Sequence, residues 1–115
     1  MKKAMEAFRL FNKEREWDQF HSPENLAKSI VIESAELLEC FQWNGNEYNL
    51  DDVKEELADV LSYSIQLCDV LHLDPEQIVL DKLEITKKKY PIEKAKGRSD
   101  KYTVLNQSTE NTEDE

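Results

Sequence analysis

Glycine and proline are scarce in this chain, with two and three in 115 residues. That scarcity excludes a glycine-rich phosphate loop, a dinucleotide-binding α/β unit and the turn-rich β-sandwiches. Cysteine is equally sparse: Cys40 and Cys68 each fall inside a helical pattern, so they read as small buried apolar residues of a reducing compartment rather than as a disulfide or metal pair. No run of apolar residues is long enough to span a bilayer, and the amino terminus lacks the apolar segment of a signal peptide, so a cytoplasmic location is expected. Positive charge is in deficit, with 15 Lys and Arg against 25 Asp and Glu for a net −10. That balance argues against nucleic-acid polymers and anionic membranes as partners.

What is present is helical. Ala4, Phe8, Phe11 and Arg15 repeat at helical spacing, which predicts a first helix over 3–17. Ser22 and Pro23 supply a cap hydroxyl and a first-turn proline for a second helix, expected to run to about Trp43 and stop at the turn Asn44-Gly45-Asn46. A third helix is expected from Asn49 or Asp51 to about His72, and a fourth, opened by Asp74-Pro75-Glu76-Gln77, to about Tyr90. Pro91 ends it and the periodicity fails beyond. The expected fold is all-α, a four-helix bundle over 1–105. The segment 106–115, with four acidic and no basic residue, is expected to be a disordered tail. Hydrophobic residues make up only 39% of the chain, too few for a generous monomer core, so apolar surface is expected to be shared between subunits.

The second and third helices each carry a carboxylate pair beside an apolar stripe. In the second, Leu26, Ala27, Ile30, Val31, Ser34, Leu38 and Phe41 form the stripe, and Glu33 and Glu36 lie at its edge, three residues apart. In the third, the stripe is Val53, Leu57, Val60, Ser64, Leu67 and Leu71. Glu56 and Asp59 repeat the three-residue spacing there, with Tyr63 one turn further. If the two helices run antiparallel, the pairs converge. Four gathered carboxylates repel unless cations sit among them, and an all-oxygen set suits Mg²⁺, Mn²⁺ or Ca²⁺. The plain alternative is that these acids are solvated surface charges. A di-iron carboxylate bundle needs two Glu-x-x-His elements, and only Asp69-x-x-His72 comes near.

The pattern Glu33-x-x-Glu36 followed by Glu56-x-x-Asp59 resembles the signature of the MazG-type all-α nucleoside triphosphate pyrophosphohydrolases, closest to their dCTP pyrophosphatase branch. The resemblance extends through Glu14 to His21, Glu36 to Trp43, Glu55 to Tyr63, Lys89-Tyr90-Pro91 and Lys101-Tyr102-Thr103. It implies a four-helix MazG-like bundle assembled as a homodimer or a dimer of dimers. The implied activity is cleavage of (deoxy)nucleoside triphosphates, dCTP or a related one, to monophosphate and pyrophosphate for nucleotide-pool sanitation. Glu33, Glu36, Glu56 and Asp59 match the family's Mg²⁺ ligands, with Glu36 and Glu56 as catalytic candidates and Glu36 the choice for general base. Trp17, Asp18, Gln19, Phe20, His21, Trp43 and Tyr63 match nucleotide positions, while Lys82 and Tyr102 are phosphate candidates. Phe8 stands where relatives can carry a polar base-contacting residue, and Thr86 where many carry asparagine. The competing functions are a non-catalytic helical interaction module and a simple divalent-cation-binding bundle.

Overall fold

The computed structural model describes residues 1–97. Five α-helices and one 3₁₀ turn account for the regular structure, and no strand occurs among the described residues. They are α1 (Lys2–Glu14), the 3₁₀ turn (Asp18–Phe20), α2 (Pro23–Glu39), α3 (Leu50–Val70), α4 (Pro75–Lys89) and α5 (Ile92–Ala95). The four expected helices are all present. Tyr102 and the segment 106–115 lie outside the described residues.

Capping explains where the helices start. Ser22 Oγ accepts a hydrogen bond from Asn25 N at 3.1 Å, with Pro23 in the first turn of α2. Asn49 Oδ1 does the same for Asp52 N, also at 3.1 Å, and opens α3. The endings depart from expectation. α1 stops at Glu14 rather than at residue 17, because Glu16 takes a left-handed conformation (φ 55°). Trp17 N then donates to Asn12 O at 2.9 Å and Glu16 N to Lys13 O at 3.2 Å, which closes the helix and turns the chain. α3 ends by the same device, with His72 at φ 59° and Leu73 N donating to Cys68 O at 2.8 Å. α2 stops at Glu39, and the segment to Trp43 forms tight turns. The short α5 lies beyond Pro91, where no periodicity announced it.

Helices α1 to α3 form one compact unit, Met1–Pro75; α4 and α5 follow it. Within that unit α2 packs along α3 and α1 lies against α3. Arg9 pairs with Asp69 and Asn12 with Gln66, so α1 and α3 run antiparallel, with two cross-links one turn apart. Leu26 and Ile65 are the buried apolar side chains, and Asn12 and Gln66 the buried polar ones. The inward faces thus differ from the expected stripes: Val31 and Leu38 are 70% and 69% exposed, Leu57 and Leu71 are also exposed, and α3 buries Ile65 and Gln66 instead. Both helices therefore carry apolar side chains beyond those buried in this unit.

Candidate active site

The carboxylates converge where α2 passes α3. One ligand atom each from Glu33, Glu56 and Asp59 lies within 4.8 Å of the others. Glu36 completes the group through its interaction with both Glu33 and Glu56. Helical spacing explains the convergence: the two three-residue pairs present adjacent acids on one face of each helix. The spacing in sequence therefore becomes a site in space.

The electrostatics mark the group as unusual. Removal from solvent pushes the Glu33 carboxyl up to about 7, helped by the adjoining Glu36 carboxyl and by the charges of Asp59 and Glu56. Glu56 is raised for the same reasons, desolvation first and Glu36 next. One oxygen of each, Glu33 Oε2 and Glu56 Oε2, is shut off from solvent with no hydrogen-bond partner among the described residues. Surface acids do not leave buried oxygens unpaired, because each such atom costs free energy. Converging hard oxygen donors of one sign fit a divalent cation, and Glu33, Glu36, Glu56 and Asp59 are the residues that would hold it.

Beside the carboxylates lies a cavity of about 210 Å³, bordered by Phe8, Phe11 and Trp17 on one side and by Asp59, Tyr63 and Gln66 on the other. Its aromatic wall follows from the left-handed cap at Glu16. The turn brings the Trp17 ring back onto Phe11, edge to face at 5.5 Å and 77°, while Phe8 meets Phe11 at 6.3 Å. Asp59 thus belongs to both the acidic cluster and the cavity. A second cavity of about 270 Å³ shares Phe8, Asn12, His21 and Gln66 with the first and extends to Asp18 and the Arg9–Asp69 ion pair. Arg9 Nε donates to Asp69 Oδ2 at 2.8 Å, and this bond holds the Asp69 carboxyl below its ordinary range. Asp69 is thereby engaged by arginine, which removes the Asp69-x-x-His72 element from any metal reading.

The structure brings Phe8, Trp17, His21, Tyr63 and Asp18 to these cavities. Gln19, Phe20 and Trp43 do not line them. Gln19 Nε2 donates back to Glu16 O at 2.8 Å, Phe20 faces outward, and Trp43 is 90% exposed in the turn after α2. Lys82 lies on α4, with its carbonyl accepting from Thr86 Oγ1 at 3.0 Å. Sequence reasoning missed Asn12, Gln66 and the Arg9–Asp69 pair. For Gln66 and Asp69 a signal was available: with Asp59 and Tyr63 they continue one polar edge along α3 at helical spacing. Cys40 and Cys68 are free thiols, both pushed up in pKa by burial first and by neighbouring carboxylates second.

An all-helical chain whose two paired helices gather four carboxylates beside an aromatic cleft is the kind of protein defined here. The chain belongs to the MazG-like family, whose model matches residues 28–105. It is 36% identical over 108 residues to mouse dCTP pyrophosphatase 1, covering 86% of this chain and 64% of that protein. The human protein of the same name is 38% identical over 104 residues, with 83% and 61% covered. The chain therefore spans a little under two thirds of the length of these curated relatives. Among solved structures, a pyrophosphatase from Archaeoglobus fulgidus superposes with a TM-score of 0.75 at 42% identity, over 79% of this chain and 92% of that one.

Proposed function

We propose that this chain hydrolyses (deoxy)nucleoside triphosphates, dCTP or a relative of it, to the monophosphate and pyrophosphate, using Mg²⁺ with Mn²⁺ as a substitute. The observation that carries the reading is the Glu33–Glu56–Asp59 cluster, within 4.8 Å and opening onto an aromatic cleft. The dCTP pyrophosphatases among its relatives supply the reaction class. A bound divalent ion would neutralise phosphate charge and favour its transfer.

The chain's own residues do the rest. Phe8 and Trp17 offer ring faces to a base, and Tyr63 lines the cleft together with Asp59. Glu36, which interacts with both Glu33 and Glu56, is the general base that takes the proton of the attacking water. To the nucleotide we also assign Asp18, Gln19, Phe20, His21, Trp43, Lys82 and Tyr102, on the family resemblance. The exposed faces of α2 and α3 support a homodimer or a dimer of dimers, working in the cytosol on free nucleotides.

The test is a panel of deoxy- and ribonucleoside triphosphates incubated with the full chain and Mg²⁺, with products separated by chromatography. Monophosphate plus pyrophosphate is the expected pair. Diphosphate plus orthophosphate, or no turnover with any triphosphate, contradicts the proposal.

A further inference from the structure

Among the described residues Asn12 and Gln66 are the buried polar side chains, at 6% and 8% exposure, and both line both cavities. Buried amides cost free energy unless their donors and acceptors are used. Asn12 Nδ2 donates to Gln66 Oε1 at 2.8 Å, and Gln66 Nε2 donates to the backbone carbonyl of Ser62 at 3.2 Å.

That short chain of hydrogen bonds has a fixed direction. A backbone carbonyl only accepts, so the end of Gln66 facing Ser62 must be its NH₂. Its Oε1 then faces Asn12 and must receive an N–H, which fixes the Asn12 amide in turn. The chain ends on Asn12 Oδ1, beside the second N–H of Asn12, on a residue that lines both cavities. His21, which lines the same two cavities, has its Nδ1 buried without a partner among the described residues. The backbone around Asn12 is held too, because its carbonyl receives Trp17 N at 2.9 Å.

We propose that Asn12, locked in one orientation by Gln66 and Ser62, selects bases that carry an exocyclic amino group over those that carry a carbonyl in its place. This rests on the triphosphate reading and names the group recognised at the base end of the cleft. An amide presenting a fixed acceptor beside a donor matches an amino group next to a ring nitrogen, as in cytosine or adenine. With the base in the same placement, uracil and hypoxanthine present the reverse order there, a carbonyl next to a ring N–H. To serve them the amide would have to flip, and a flip points Asn12 Oδ1 at Gln66 Oε1. Two facing acceptors without a proton between them repel.

The experiment measures kcat/KM of the full chain for dCTP against dUTP, and for dATP against dITP, with Mg²⁺. Each pair keeps the ring size and exchanges the amino group and its neighbouring ring-nitrogen acceptor for a carbonyl and a ring N–H. The expected result is a preference of about tenfold or more for the amino member of each productive pair. In Asn12→Leu the ratio should fall to within about threefold of unity. A purely structural role would lower both members alike and leave the ratio standing. If Asn12→Leu does not fold, Gln66→Met serves, because an unclamped Asn12 amide turns freely and the same ratio must fall. Equal turnover of the members by the wild-type chain, or an unchanged ratio in the soluble variants, overturns the inference while leaving the enzyme reading intact. Failure to hydrolyse any of the four overturns both.

Discussion

At the scale of single residues the acids of α2 and α3 carry the account. Glu33 has its folded-state carboxyl raised from 4.5 to about 7, so protonation favours the native form. Its contribution to stability is fully present below the unfolded value and is lost as pH rises through the folded one. Metal-free protein should therefore lose melting temperature between about pH 4.5 and 7, and Glu33→Gln should flatten that part of the profile. Asp69 works in the opposite direction and in a separate window. Arg9 depresses its carboxyl below 3.8, so its contribution is present above that value and disappears as pH falls further. Calorimetric scans across pH in chelator distinguish the two. For turnover, Glu56→Gln should cost at least tenfold, about 1.4 kcal/mol or more of transition-state stabilisation, with helical circular dichroism unchanged. A variant that keeps more than a tenth of wild-type turnover contradicts the assignment.

Helices and their ends were legible to different degrees. The caps at Ser22 and Asn49, and the carboxylate spacing on α2 and α3, announced themselves because residue type and position agreed with local physics. The left-handed ends at Glu16 and His72 did not. That conformation ordinarily selects glycine, and here it falls on residues that give no signal in sequence. The cap at Glu16 nevertheless places Trp17 on Phe11, so an unreadable turn builds the aromatic wall. Asn12 and Gln66 were missed for a related reason: a polar residue in a helix reads as surface until its partner on another helix is known. The left-handed positions give a direct check. A side chain there costs about 1–2 kcal/mol, of which glycine returns part after its own entropy loss. His72→Gly, outside the four-acid cluster, should raise stability by about 0.5–1 kcal/mol in thermal or urea unfolding. A lower melting temperature would show that His72 makes a contact that outweighs its backbone strain.

For the whole molecule, the low apolar content and the exposed helix faces point the same way. With Leu26 and Ile65 as the buried apolar side chains, and Val31 and Leu38 largely exposed on one face of α2, the lone chain leaves much of its apolar surface in water. The proposed assembly would bury that face. Val31→Glu combined with Leu38→Glu should shift sedimentation from dimer or larger to monomer and lower the melting temperature. An unaltered sedimentation coefficient would place the subunit contact elsewhere.

The claim on which the rest depends is that Glu33, Glu36, Glu56 and Asp59 form one coupled cation site. Without metal they repel in the folded chain and separate on unfolding, so removing one charge should relieve the native state. A divalent ion that binds the native state stabilises it by mass action, and does so best with all four ligands intact. The deciding measurement is the melting temperature of wild type and Glu56→Gln, each in chelator and in millimolar Mg²⁺. The account predicts that Glu56→Gln melts higher in chelator and that Mg²⁺ raises the wild type until the order reverses or the gap closes. If Glu56→Gln melts at or below wild type in chelator and Mg²⁺ moves neither, the four acids are independent surface charges and the site does not exist.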